Sequence, residues 1–182
     1  MIKRIPVTPE GLPIIFTFLG LALFFYLMRV LHLWVPFFFL TLITIYFFRD
    51  PERTPPAIAN TIISPADGRV ISLEKVYDDS FLKKEVYKVS IFLSIFDVHI
   101  NRSPTSGDVV STDYRPGRFF PALWDKASRL NEQNIILLSS EFGPLIIRQI
   151  AGFIARRIVC WVKPGDHLAC GQKLGLIKFG SK

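Results

Sequence analysis

Cysteine is nearly absent: the 182 residues hold two, Cys160 and Cys170, ten positions apart. Neither belongs to a C-x-x-C pair and no matching histidine pair accompanies them, which argues against a zinc site and a disulfide framework. Cys160, inside RRIVCWV, reads as a small core residue, and the scarcity fits a reducing compartment. Long basic runs are missing as well, although 22 Lys and Arg outnumber 15 Asp and Glu for a formal charge of +7. The basic residues neither cluster nor interleave with a nucleic-acid motif, so nucleic acid is not the expected partner. No long heptads occur, as a secretion adaptor would bring, and the best hairpin tip carries Asp67 where a carrier domain needs a modifiable lysine.

Apolar residues are abundant: half of the chain, with mean hydropathy +0.35 and the excess concentrated in residues 12–48. A 17-residue run over 12–28, LPIIFTFLGLALFFYLM, is followed by Arg29 and His32, then by a second run from Leu33 to Phe48 that contains Pro36. Each is near the lower limit of about 17–25 residues for a spanning helix. A signal peptide has a shorter core and no second run. Lys3 and Arg4 precede the pair, and Arg49 and Arg53 follow it, so both flanks are expected on the cytoplasmic face of the cell membrane. A hairpin lying in one leaflet is the alternative to spanning. FFRDPERTPP then breaks the pattern with prolines and charges, giving residues 1–52 as a membrane-associated hairpin and linker and 53–182 as a second domain.

From about Ile58 short β runs alternate with turn signals, so a compact, mostly β (α+β) fold is expected. NTIISPADGRVISLEKV reads as strand, turn, strand. EVYKVSIFLSIFDVHINRSP reads as a long strand or a strand pair, and SGDVVSTDYRPG as an edge strand. Residues 121–133 read as a helix or ordered lid, and NIILLSS, GPLIIRQIAG, RRIVCWVKPGD and QKLGLIKFGS as further strands. The turn-rich spacing of VKPGDHLACGQKLGLI resembles barrel-sandwich domains, which leaves a non-catalytic, membrane-tethered adaptor as the alternative function.

Among residues able to do chemistry, Asp67 before Gly68 is by itself a turn residue, and His99 in SIFDVHIN is by itself a core or edge-strand histidine with Asp97 as a ready partner. His32 borders the apolar block and His167 sits in a PGDH turn. Gly180-Ser181, one residue from the last, reads in isolation as a frayed turn.

Taken jointly, SPADG at 64–68, FDVHINRSP at 96–104 and FGS at 179–181 resemble the phosphatidylserine decarboxylase proenzymes of the short prokaryotic type. FFRDPER, GRF, DKAS, NEQN and RQIAG follow in the order that family shows, over about Pro6 to Lys182. The resemblance implies self-cleavage at Gly180-Ser181, with Ser181 becoming a covalent pyruvoyl group and no metal. A serine hydroxyl attacks the preceding carbonyl only when a base takes its proton, a role suited to an imidazole and implied for His99. Asp67 would fix its tautomer and stabilise the imidazolium, and Gly180 would permit the strained acyl shift. The pyruvoyl group would serve as an electron sink for converting phosphatidylserine to phosphatidylethanolamine. Implied partners are that lipid in the membrane, the chain's own small subunit after cleavage, and a second copy in a homo-oligomer.

Two departures stand out. Position 96 is phenylalanine where some members carry a second histidine, so work shared between two histidines is not carried over. Only Lys182 follows Ser181, which read literally means a truncated sequence or a shortened member without turnover. Arg118 and Lys126, in the aromatic and basic segment YRPGRFFPALWDKASRLNEQN, are the expected contacts to the lipid phosphate.

Overall fold

In the computed structural model, which describes residues 7–58, 60–121, 124, 126–153 and 157–178, the apolar block folds as two helices, α1 (Leu12–Leu27) and α2 (Leu31–Phe47). Arg29, at φ 60°, takes the left-handed conformation that commonly ends a helix and turns the chain from one helix to the other. Phe25 stacks on Phe37 at 5.6 Å, and Tyr26 meets Trp34 edge-on at 5.8 Å. The far ends are tied together by the Thr8 amide, which donates to the Phe48 carbonyl at 2.9 Å. A Cβ on Gly11 would come within 2.5 Å of the Phe48 side chain, so this junction requires glycine. Thr41 and Thr44 spend their hydroxyls on the carbonyls one turn back, leaving no polar demand on the surroundings. Phe16, Leu23, Phe24 and Leu27 of α1, and Phe39 and Ile43 of α2, remain exposed. Residues Pro9–Leu27 form a helix long and apolar enough to cross a membrane by length and composition, and Leu31–Phe47 is shorter.

The chain divides into two compact units, Met1–Glu52 and Arg53–Lys182. The second unit is mostly β. Its strands are β1 (Arg69–Asp78), β2 (Lys84–Phe92), β3 (Ile100–Arg102), β4 (Gly107–Arg115), β5 (Gln133–Ser140), β6 (Gly143–Ile150), β7 (Arg157–Cys160), β8 (His167–Leu168) and β9 (Lys173–Lys178), with one short helix, α3 (Ala127–Leu130), before β5. Among the described residues they form an antiparallel ribbon β1-β2, a three-stranded sheet β3-β9-β7 and a four-stranded sheet β6-β5-β4-β8. Val109, Ile136, Leu138, Ile147, Val162, Leu168 and Leu174 form the main apolar core. Ile135 and Ile136 point to opposite faces of β5 yet are both fully buried, so that strand is covered on both sides.

Three local expectations change. Residues 61–64 join no strand. The Ile63 amide bonds the Pro104 carbonyl instead, and the Arg102 amide bonds the Pro65 carbonyl, both at 2.9 Å. The segment read as an edge strand is internal: β4 pairs with β5 along its length and with β8 at Gly107 and Asp108. Among the described residues of 121–133 the helix covers Ala127–Leu130, and Asn131 takes over the neighbouring backbone beyond it, accepting from the Phe120 amide and donating to the Phe120 and Ala151 carbonyls.

Candidate active site

SPADG is a bend lashed to β3. Ser64 Oγ donates to the Ala66 carbonyl at 2.7 Å, tightening the bend, and the Arg102 amide holds Pro65. Gly68 is needed where the bend enters β1, since a Cβ there would lie 2.5 Å from the Phe92 carbonyl oxygen. The bend presents Asp67 to a cleft of about 150 Å³ whose lining includes Arg53, Pro55, Ser64, Ile100 and Arg102. Arg53 Nε and Nη2 both donate to Asp67 Oδ2, at 3.1 and 3.0 Å, with both side chains nearly half exposed. The Arg102 guanidinium also donates to the Gly171 carbonyl at 3.2 Å.

His99 immediately precedes β3 and is fully buried. Its Nδ1 lies 2.9 Å from the Asp97 backbone carbonyl. A carbonyl only accepts, so Nδ1 carries the proton and the ring's lone pair sits on Nε2. The Asp97 carboxylate, expected as an alternative partner of His99, accepts from the Ser94 amide at 2.7 Å and closes the 94–97 turn. The tautomer is thus fixed by a backbone oxygen rather than by a carboxylate. On the far side of β3, Ile100 pairs with Leu176 of β9, and the Ile177 amide donates to the His99 carbonyl at 3.2 Å. Gly180 and Ser181 lie outside the described residues, three and four positions beyond Ile177.

The structure gathers Asp67 and the residue after His99 at one cleft, and puts Arg118 and Lys126 in another cluster. The Lys126 ammonium lies 4.5 Å from the Phe120 ring centroid and 4.6 Å from that of Trp124, and the Arg118 guanidinium lies 5.9 Å from Phe120. Among the described residues no group of three His, Cys, Asp or Glu could hold a metal ion.

Behind β3 lies a buried relay that composition and spacing did not reveal. Asn134 Nδ2 donates to Gln149 Oε1 at 2.8 Å, and Gln149 Nε2 donates to Asn101 Oδ1 at 2.9 Å, joining β5, β6 and β3. Glu132, buried next door, accepts from the Ile158 amide at 3.1 Å. Partial desolvation first, and then the Glu132 carboxylate, push the Tyr114 phenol above its ordinary value, although the residue as a whole is 56% exposed. NEQN, RQIAG and FDVHINRSP are therefore one hydrogen-bonded unit supporting the strand beside His99. The signal was a polar residue inside an apolar strand run, Gln149 in LIIRQIAG above all.

The family profile described as phosphatidylserine decarboxylase matches residues 40–182. A phosphatidylserine decarboxylase proenzyme from Carboxydothermus hydrogenoformans is 51% identical over 144 residues, covering 79% of this chain and 68% of the relative. One from Geobacter sp. (strain M21) is 46% identical, covering 97% of this chain and 84% of its own length, and one from Nitrosomonas europaea is 45% identical, with 95% and 80% covered.

Proposed function

Because the chain belongs to the phosphatidylserine decarboxylase family, we propose that it is a self-processing proenzyme that converts phosphatidylserine to phosphatidylethanolamine through a pyruvoyl group formed from Ser181. The observation that carries this reading is the bond from the Ile177 amide to the His99 carbonyl. Four residues of chain reach at most about 14 Å, a length short enough for the Gly180-Ser181 bond to be brought to the imidazole. His99 Nε2 takes the Ser181 hydroxyl proton as the oxygen attacks the Gly180 carbonyl carbon and the amide nitrogen departs as an amine, leaving an ester. Loss of the serine α-proton with rupture of the Cβ–O bond then frees the Gly180 carboxylate, and water releases ammonia. Asp67 stabilises the imidazolium, and Asp97 supplies the tautomer through its carbonyl.

The residues present fit a pyruvoyl group, which needs a neighbouring proton carrier and no metal. That group supplies an electron-accepting carbonyl for the substrate amine, and His99 returns the proton to the carbon that loses carbon dioxide. Residues 12–48 hold the protein at the cytoplasmic face of the membrane, where a two-chain lipid stays, and Arg118 and Lys126 meet its headgroup layer. After cleavage the segment beginning at Ser181 is the small subunit, and a homo-oligomer is compatible with this arrangement. Neither the adaptor reading nor the loss of turnover finds support in the comparisons.

Intact-mass spectrometry on the purified protein tests this reading. The expected result is a break at Gly180-Ser181 without added protease, with serine converted to pyruvoyl, and an uncut chain for Ser181→Ala. If Ser181→Ala still breaks at that bond, processing through this hydroxyl is wrong.

A further inference from the structure

The cleft beside β3 is small and lined by Arg53, Arg102 and Asp67, with Pro55, Pro56 and Pro65 in its walls. Its volume of about 150 Å³ equals roughly five waters, on the scale of a small polar group, and it opens to solvent. Arg53 spends two donors on the single oxygen Oδ2 of Asp67, and the pair is half in water. An exposed pair of that kind is worth about 0–1 kcal/mol. A phosphodiester, with two non-bridging oxygens, matches the guanidinium fork better.

The geometry points to this cleft as the seat of the lipid phosphodiester: Arg102 and Arg53 take the phosphate oxygens, and Arg53 releases Asp67 as it does so. This deepens the reading of the chain as acting on phosphatidylserine and rests on it. Arg53 belongs to the linker that directly follows the apolar helices in sequence, and Arg102 follows His99 by three residues on β3. The phosphate is therefore seated on the strand that His99 precedes. Asp67, freed from Arg53, faces the same cleft as Ile100.

The test uses the full chain in nonionic detergent, titrated calorimetrically with glycerophosphoserine, inorganic phosphate and L-serine. Glycerophosphoserine should bind, and Arg53→Gln should weaken it about tenfold or more, the loss of a charge-assisted contact. Arg102→Lys, which keeps the charge but loses the fork, should weaken it in the same direction, with an unchanged circular dichroism melt as the control for the lost Gly171 contact. L-serine should respond to neither change, and inorganic phosphate should displace glycerophosphoserine poorly. Equal affinity in all three proteins overturns the proposal, as does inorganic phosphate binding as tightly as the diester, which would mark a plain anion site. In turnover on phosphatidylserine vesicles, Arg53→Gln should raise KM and keep kcat; the opposite split would mean that Arg53 serves Asp67 alone. An uncut chain that still binds glycerophosphoserine through both arginines would sink the decarboxylase reading and keep the seat. A cut chain whose binding ignores both arginines does the reverse.

Discussion

The contact between His99 Nδ1 and the Asp97 carbonyl leaves the Asp97 carboxylate for other work, and Asp67 is engaged by Arg53. Asp97 holds the Ser94 amide, and Asp97→Asn keeps both its carbonyl and an oxygen for that amide, so its cleavage time course should shift by less than about threefold. Asp67→Asn removes the negative charge available to the imidazolium and should slow cleavage by roughly a hundredfold or more. The reverse ranking would transfer the role to Asp97. The sequence made both carboxylates visible and left their division open. Asp97 lies two residues from the histidine, but proximity along the chain does not say whether a side chain or its carbonyl does the bonding. Arg53, fourteen residues before Asp67, was legible as a positive flank of the apolar block and a linker charge, not as the partner of Asp67, because the bend that brings the two together depends on the long-range bond from Arg102 to Pro65.

The ribbon β1-β2 owes its turn to one aspartate. Burial alone would raise the Asp78 carboxyl, but the Leu82 amide, the Ser80 hydroxyl and the Phe81 amide outweigh it and bring the pKa down from 3.8 to about 2. A depressed folded-state value stabilises the turn at neutral pH, and that contribution drains away between about pH 4 and pH 2. Asp78→Asn should cost about 1–2 kcal/mol at pH 7 and flatten the acid dependence, read from amide exchange at Phe81 and Leu82. In the three-stranded sheet Gly175 is the tight point: a Cβ would stand 2.2 Å from the Val159 carbonyl oxygen and 3.1 Å from Gln149 Nε2. Gly175→Ala should lower stability by about 1–3 kcal/mol in thermal melts and slow cleavage with it. Alternation and turn residues announced nearly every strand. They could not give neighbour order, so β4 read as an edge, nor foresee that Asn131 would claim the backbone of a helix-like stretch.

At the level of the whole molecule, the apolar block and the β unit have separate internal economies. The first bonds Thr17, Thr41 and Thr44 to carbonyls within its own helices, and the second places its core, its relay and its cleft among residues after Glu52. Deleting residues 1–52 should leave a chain that keeps its β circular dichroism and still cuts itself, but no longer floats with phosphatidylserine vesicles in a density gradient. Equal flotation of both forms would reject the anchoring role. The apolar runs and the proline-rich break after them made this division readable at once, because composition changes abruptly there. The cleft was not readable in that way, since its residues come from four separated stretches of sequence.

The ladder that joins Ile100 to Leu176 also imposes an order in time. Its two strands are separated by most of the β unit, and closing so long a loop comes late in folding because its entropy must be met before the contacts repay it. In the self-processing proposed above, Gly180-Ser181 follows the later strand in sequence and His99 precedes the earlier one. On that proposal a nascent or half-collapsed chain would hold the serine and the imidazole apart, and cutting would wait until the last long-range strand is home.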